Sequence, residues 1–203
     1  VSVPPFPSRP TPNLPAMKTP RSLVLLSLAA LLGLAGCQNR PSTPAAFTHW
    51  PAGTSPAEVG KRVAENFAAR SFQWQTDPRR RYVIYPEICA WYGSLDVARL
   101  TGDADLQKRL AAKYDVLLTA EGAKRISPNE HVDYRIFGVI PLELAMTGKD
   151  ATMLATGKKF ADAQWEKTTP DGITQEARYW IDDMYMSPIL QVQAFRATGN
   201  AVY

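Results

Sequence analysis

From residue 56 onward the apolar positions of the chain fall into two alternating kinds of segment. Three segments, 90–100, 139–146 and 189–197, are apolar almost all round, as helices buried on every side are. The segments that follow the first two are one-sided: Leu106, Leu110, Tyr114 and Leu117 lie on one face after the first. Met153, Phe160 and Trp165 carry the apolar side after the second, with Lys158, Lys159 and Asp162 among them. Ahead of these runs, Ser55-Pro56-Ala57-Glu58 has the form of a capping box with proline at the first helical position. Val59, Val63 and Phe67 then follow at four-residue spacing and predict a first helix with one apolar stripe, closed by Ser71-Phe72-Gln73-Trp74.

A short turn joins each buried segment to its one-sided partner. Leu100-Thr101-Gly102-Asp103, Met146-Thr147-Gly148-Lys149 and Ala197-Thr198-Gly199-Asn200 recur at spacings of 46 and 51 residues. Glycine there ends one helix in the left-handed conformation, and the next helix starts a few residues on. A period of about 45–50 residues with two helices per unit predicts a helical-hairpin array. Six helices, or three hairpins with the last lacking its outer partner, are expected, and the nearly all-apolar helices form the inner layer. An open solenoid would close on a polar capping helix. This array instead reaches Val202-Tyr203 a few residues into a new helix, so the reading is of a chain cut off within a larger array.

The segment ahead of the array has another origin. Residues 1–16 hold six prolines and no apolar period, and read as upstream sequence translated from a misplaced start. Met17 opens a secretory signal over 17–36: Lys18 and Arg21 are its positive region, and 23–34 are its apolar region, short for a membrane span. The ending Leu34-Ala35-Gly36-Cys37 resembles a bacterial lipobox, which implies that Cys37 is lipidated and anchors the mature chain in a membrane. Gln38 rather than Asp at the next position is similar to outer-membrane sorting, so the expected location is the cell envelope, on the periplasmic or cell-surface face. Residues 37–55, with Pro41, Pro44, Pro51 and Gly53, read as a tether.

Removing 1–36 takes away Arg9, Lys18 and Arg21 and no acid, so 20 basic residues face 19 acidic ones, and the formal charge falls from +4 to +1. The basicity belongs to the leader, and nucleic acid is not an expected partner. With Cys37 acylated, Cys89 has no disulfide partner and reads as a buried packing residue. Two histidines cannot build a multi-histidine metal site, so no metal is indicated.

Candidate chemistry collects at the starts of the inner helices. Asp182 lies sixteen residues before Thr198, and Asp133 lies fourteen before Thr147, which puts both on one rim in adjacent repeats. The equivalent place in the first repeat is Tyr85-Pro86-Glu87. Packed helices sit about 8–10 Å apart, so acids on neighbouring ones can converge on one ligand. Two acids flanking a sugar is a common arrangement in glycoside chemistry. Of the adjacent pair Asp182 and Asp183, only one is expected to face a cavity; the other bonds backbone or pairs with Arg178. Ser187-Pro188 is a possible start of the inner helix proper, with the acid pair in the loop before it. Trp180, Tyr134, His131 and Arg135 surround these acids as candidate substrate contacts. The alternatives are Trp180 in the core, His131 in a surface loop, Arg135 paired with Glu143 or Glu130, and either Asp as a helix cap.

Three features together resemble glycoside hydrolase families 88 and 105, the unsaturated glucuronyl and rhamnogalacturonyl hydrolases. They are Trp180-Ile181-Asp182-Asp183-Met184-Tyr185-Met186, the segment His131-Val132-Asp133-Tyr134 leading into an apolar helix, and the Thr-Gly turns. The resemblance runs from about residue 57 to the end. It implies an all-α fold, an α/α toroid of six hairpins of which 56–203 would be about half, and a reaction without cofactor. Its substrates are oligosaccharides left by a polysaccharide lyase, ending in a uronic acid with a C4–C5 double bond. By motif position Asp182 matches the general acid/base, Trp180 the indole lining the uronate subsite, and Asp133 the second acid. A sugar epimerase on the same toroid and a non-catalytic helical-repeat lipoprotein are the other readings.

Overall fold

The computed structural model describes residues 49–203. The proposed signal, the lipobox with Cys37 and most of the tether lie outside the described residues. The last tether residues are folded against the first helix: Thr54 closes a turn on Pro51, and Arg62 Nη1 donates to the Gly53 carbonyl at 2.7 Å.

The first helix, α1, spans Pro56–Ala69 and opens on the expected capping box. Ser55 Oγ accepts the Glu58 N–H at 3.2 Å, and Glu58 Oε2 accepts the Ser55 N–H at 3.1 Å. Its buried face differs from the expected stripe. Phe67 is buried, but Val59 and Val63 are exposed, and Ala64 takes the inward place. Small residues decide this rotation. A Cβ on Gly60 would already stand 3.2 Å from Val97, so α1 packs close only through its Gly60–Ala64 edge.

Among the described residues six long helices carry the fold, as the pattern predicts: α1, α3 (Tyr85–Thr101), α4 (Ala104–Ala112), α8 (Val139–Gly148), α9 (Ala151–Gln164) and α10 (Asp183–Thr198). Short helical turns link them: α2 (Gln73–Thr76), α5 (Asp115–Leu118), α6 (Ala120–Ala123), α7 (Val132–Arg135) and a 3-10 turn (Ile136–Gly138) leading into α8. The described residues are all-helical and form no strand beyond one isolated bridge between Thr168 and Thr174. Helices α3, α8 and α10 pack side by side in a central row, and α1, α4 and α9 pack against that row.

The expected face of α4 is present: Leu106 and Leu110, with Tyr114 and Leu117 after it, are all buried. On α9 it is only partly so. Met153 and Phe160 pack on the core, but Trp165 is 44% exposed, and the small residues Gly157 and Ala161 are buried in its place. Rings from both layers form a continuous chain: Phe67–Trp91 (6.3 Å), Trp91–Tyr114 (6.1 Å), Tyr114–Phe137 (6.1 Å) and Phe137–Phe160 (5.3 Å). Trp91, fully buried, also donates its Nε1–H to the Leu110 carbonyl at 2.9 Å, so the indole joins α3 to α4 without an orphaned donor. Burial raises the Tyr114 phenol to about 12, which keeps it neutral.

The repeated turn closes differently in its second copy. Gly102 and Gly199 are the left-handed caps of α3 and α10, at φ 67° and 69°. In the middle copy Gly148 is the last residue of α8, and Lys149 takes the left-handed position at φ 53°. A side chain disfavours that conformation, and glycine within a helix disfavours the helix. Lys149→Gly is therefore expected to stabilise the fold by about 0.5–1 kcal/mol, and Gly148→Ala by a similar amount, since nothing crowds a Cβ there. Urea denaturation of each variant measures both effects.

Candidate active site

The loop ends of α8 and α10 bring four charged side chains together. Asp133 sits in the first turn of α7, behind His131 as its N-cap. Asp182 is the N-cap of α10, and Asp183 its first residue. The helix thus begins four residues earlier than a start at Ser187-Pro188 would give. Pro188 lies inside it, and the carbonyl it leaves unpaired belongs to exposed Met184, where solvent can reach.

Arg178 stands in the middle. Its Nη2 donates to Asp183 Oδ1 at 2.8 Å and to Asp182 Oδ2 at 3.1 Å, its Nε reaches Asp183 Oδ1 at 3.2 Å, and its Nη1 lies 3.2 Å from Asp133 Oδ1. Three carboxylates share one guanidinium, which leaves the cluster with two formal negative charges when all are ionised. The exposed Trp180 ring covers the guanidinium face, with Arg178 Cζ 4.5 Å from its centroid. Trp180 is therefore a surface residue of the site and no part of the core, at 62% exposure.

The two adjacent acids have separate surroundings. Asp183 is buried, and its Oδ2 accepts the backbone N–H of Arg178 at 2.5 Å and of Trp180 at 3.3 Å. Tyr179 between them is left-handed, at φ 62°, which turns both N–H groups the same way into an anion-holding nest. Burial pushes the Asp183 carboxyl up, but the Arg178 side chain and the two backbone donors outweigh it and hold it below the ordinary value. Asp182, by contrast, keeps 36% of its side chain exposed and has Arg178 as its side-chain partner. The sequence allowed Asp183 either a backbone bond or an Arg178 pair; it makes both.

The remaining candidates divide. His131 is half-exposed; its Nδ1 accepts the Asp133 N–H at 3.2 Å and lies 3.8 Å from Asp133 Oδ2, which leaves Nε2 to donate outward. Tyr134 packs edge-on against Tyr82 at 5.7 Å and beside His131 at 5.9 Å. Arg135 pairs with neither Glu143 nor Glu130: its guanidinium binds Glu176, and both side chains are nearly buried. Glu130 pairs instead with Lys167 at 2.5 Å, and Glu143 bonds Gln193 at 2.9 Å with Arg196 nearby. Glu87, at the equivalent place in the first repeat, turns away to Arg70 at 2.9 Å and stays outside the cluster. Cys89 is half-buried rather than buried, and desolvation raises its thiol, so it is not primed as a nucleophile. Desolvation, with Cys89 and Tyr92 nearby, also lifts Tyr185 to about 12.

Beside Asp183, a groove of about 560 Å³ runs along the first turns of α10, bounded by Trp165, Tyr179, Trp180, Met184 and Pro188. Among the described residues no group of three or more His, Cys, Asp or Glu is arranged to hold a metal ion. No family model, curated protein or solved structure matches this chain.

Proposed function

We propose that this chain is an unsaturated uronyl hydrolase built on α/α-toroid architecture, acting on lyase-generated oligosaccharides. The observation that carries this reading is the convergence of Asp133, from the short helix leading toward α8, and Asp182, the N-cap of α10, on one rim beside an exposed indole. In this reading Asp182, the more exposed acid, donates a proton to C4 of the unsaturated ring and assists the water that adds at C5. The resulting hemiketal collapses to an open-chain keto-uronate and releases the rest of the sugar, so no cofactor enters. Asp133, whose side chain keeps 23% exposure beside Arg178, is in this reading the second acid, which supports the proton donor. Trp180 offers a ring face for stacking, and His131 Nε2 a donor. The test is ultraviolet absorbance: the double bond conjugated to the carboxylate absorbs, and hydration removes it.

The row of α3, α8 and α10 supports the toroid reading, with hairpins stepping in one direction. Val192 and Phe195 of α10 are about half exposed, apolar surface that a neighbouring hairpin of such a ring would cover. A non-catalytic glycan-binding lipoprotein is the second reading, favoured by the way Arg178 already pairs with all three acids. For either, the envelope location rests on Cys37. Cys37→Ser is expected to move the protein from the membrane fraction to the soluble one on fractionation; unchanged membrane association would contradict the anchor.

A further inference from the structure

The uronyl hydrolase reading uses Asp133 and Asp182 but leaves open what holds two acids of like charge from different helices at one working distance. We propose that Arg178 is a positioning residue that fixes Asp133 and Asp182 relative to each other, delivered into the site by the left-handed turn at Tyr179. This inference rests on the hydrolase reading for its catalytic consequence, though not for its geometry.

The guanidinium contacts exceed what a buttress for Asp183 needs. Nε and Nη2 alone hold Asp183, at 3.2 and 2.8 Å. Nη2 nevertheless also bonds Asp182, and Nη1 reaches Asp133, 45 residues away in the chain and in another helical unit. A guanidinium is planar, and the separation of its two terminal nitrogens is fixed, so acids bound to Nη1 and Nη2 are held at a set spacing. Without a shared cation, two carboxylates on adjacent helices repel and drift apart. Direct capture of a substrate carboxylate by Arg178 fits less well. Its edges face three acids and its flat face meets Trp180 at 4.5 Å. The backbone serves the same end: Tyr179 at φ 62° reverses the chain between Arg178 and Trp180, which sets the guanidinium and the indole on the same side of the rim.

The test uses the full chain and two variants, Arg178→Ala and Arg178→Lys. Melting temperature is read in about 20 mM guanidinium chloride against equal sodium chloride, since an ion that binds the native state alone raises it. Free guanidinium is expected to raise the melting temperature of Arg178→Ala but not that of wild type, and to raise it less when Asp133→Asn is added. Arg178→Lys, which keeps the charge but not the fork, is expected to stay folded. On lyase-generated oligosaccharides its kcat is expected to fall about 10- to 100-fold with KM little changed. Guanidinium is expected to restore part of the turnover of Arg178→Ala. Guanidinium stabilisation that is absent, or that is undiminished without Asp133, overturns the clamp, and so does wild-type kcat in Arg178→Lys. If wild type itself leaves unsaturated uronides unchanged, the hydrolase reading falls, and the melting experiment with Asp133→Asn still decides whether Arg178 bridges the two acids.

Discussion

Asp182→Asn is expected to lower turnover of unsaturated oligosaccharides by about 10²- to 10⁴-fold, the usual contribution of a positioned general acid. Binding and fold should survive. The Asp182 side chain is more than one-third exposed, and its side-chain hydrogen bond to Arg178 is one an asparagine oxygen can still accept. The backbone carbonyl of residue 182, which takes the N–H groups of Tyr185 and Met186 at the start of α10, is untouched by the change. A surface pair of this kind contributes about 1 kcal/mol or less. Steady-state kinetics and a melting curve on the same sample separate the two roles. Retained hydrolysis would remove Asp182 from proton transfer.

Asp183→Asn should fail in the opposite way, through the fold. This carboxylate is buried and accepts four hydrogen bonds, two from the Arg178 side chain and two from the N–H groups flanking Tyr179. Asparagine has one acceptor oxygen, so its amide must face a donor and Arg178 loses its closest counter-charge. The expected loss is about 3 kcal/mol, in the range for breaking one side of a buried charge pair. The same carboxylate sets an acid limit. Its value in the folded state is depressed below the ordinary 3.8, so its stabilising contribution is fully present above that value. It is lost as the pH falls through the lower folded value. Stability measured from about pH 5 downward should therefore decline more steeply in wild type than in Asp183→Asn. Equal slopes would show that Asp183 does not carry the acid transition.

Local signals made much of the helical framework legible. The Ser55–Glu58 capping box, the face from Leu106 to Leu117 and the Thr-Gly turns act over three to eleven residues, and the structure follows them. Where contacts between helices decide, the sequence pattern was less informative. Val59 and Val63 form a regular stripe, yet the close approach available at Gly60 and Ala64 turns α1 the other way. Position alone gave the second Thr-Gly turn to Gly148, while the helix runs one residue further and strains Lys149.

The candidate site divides along the same line. Four residues separate Arg178 from Asp182, a spacing that brings side chains together, so that pairing was within reach of the sequence. The contact from Arg178 to Asp133 spans 45 residues, and that from Arg135 to Glu176 spans 41; neither leaves a periodic trace. The importance of Arg178 as the common partner of three acids appears only once the two loop ends are brought side by side.

The most direct measurement follows the ultraviolet absorbance of lyase-generated oligosaccharides in the presence of wild-type protein and of Asp182→Asn. Absorbance is expected to fall with wild type and to persist with Asp182→Asn. Persistence with folded wild-type protein, across several lyase products, would contradict the hydrolase reading and leave a helical module that binds glycans without turning them over.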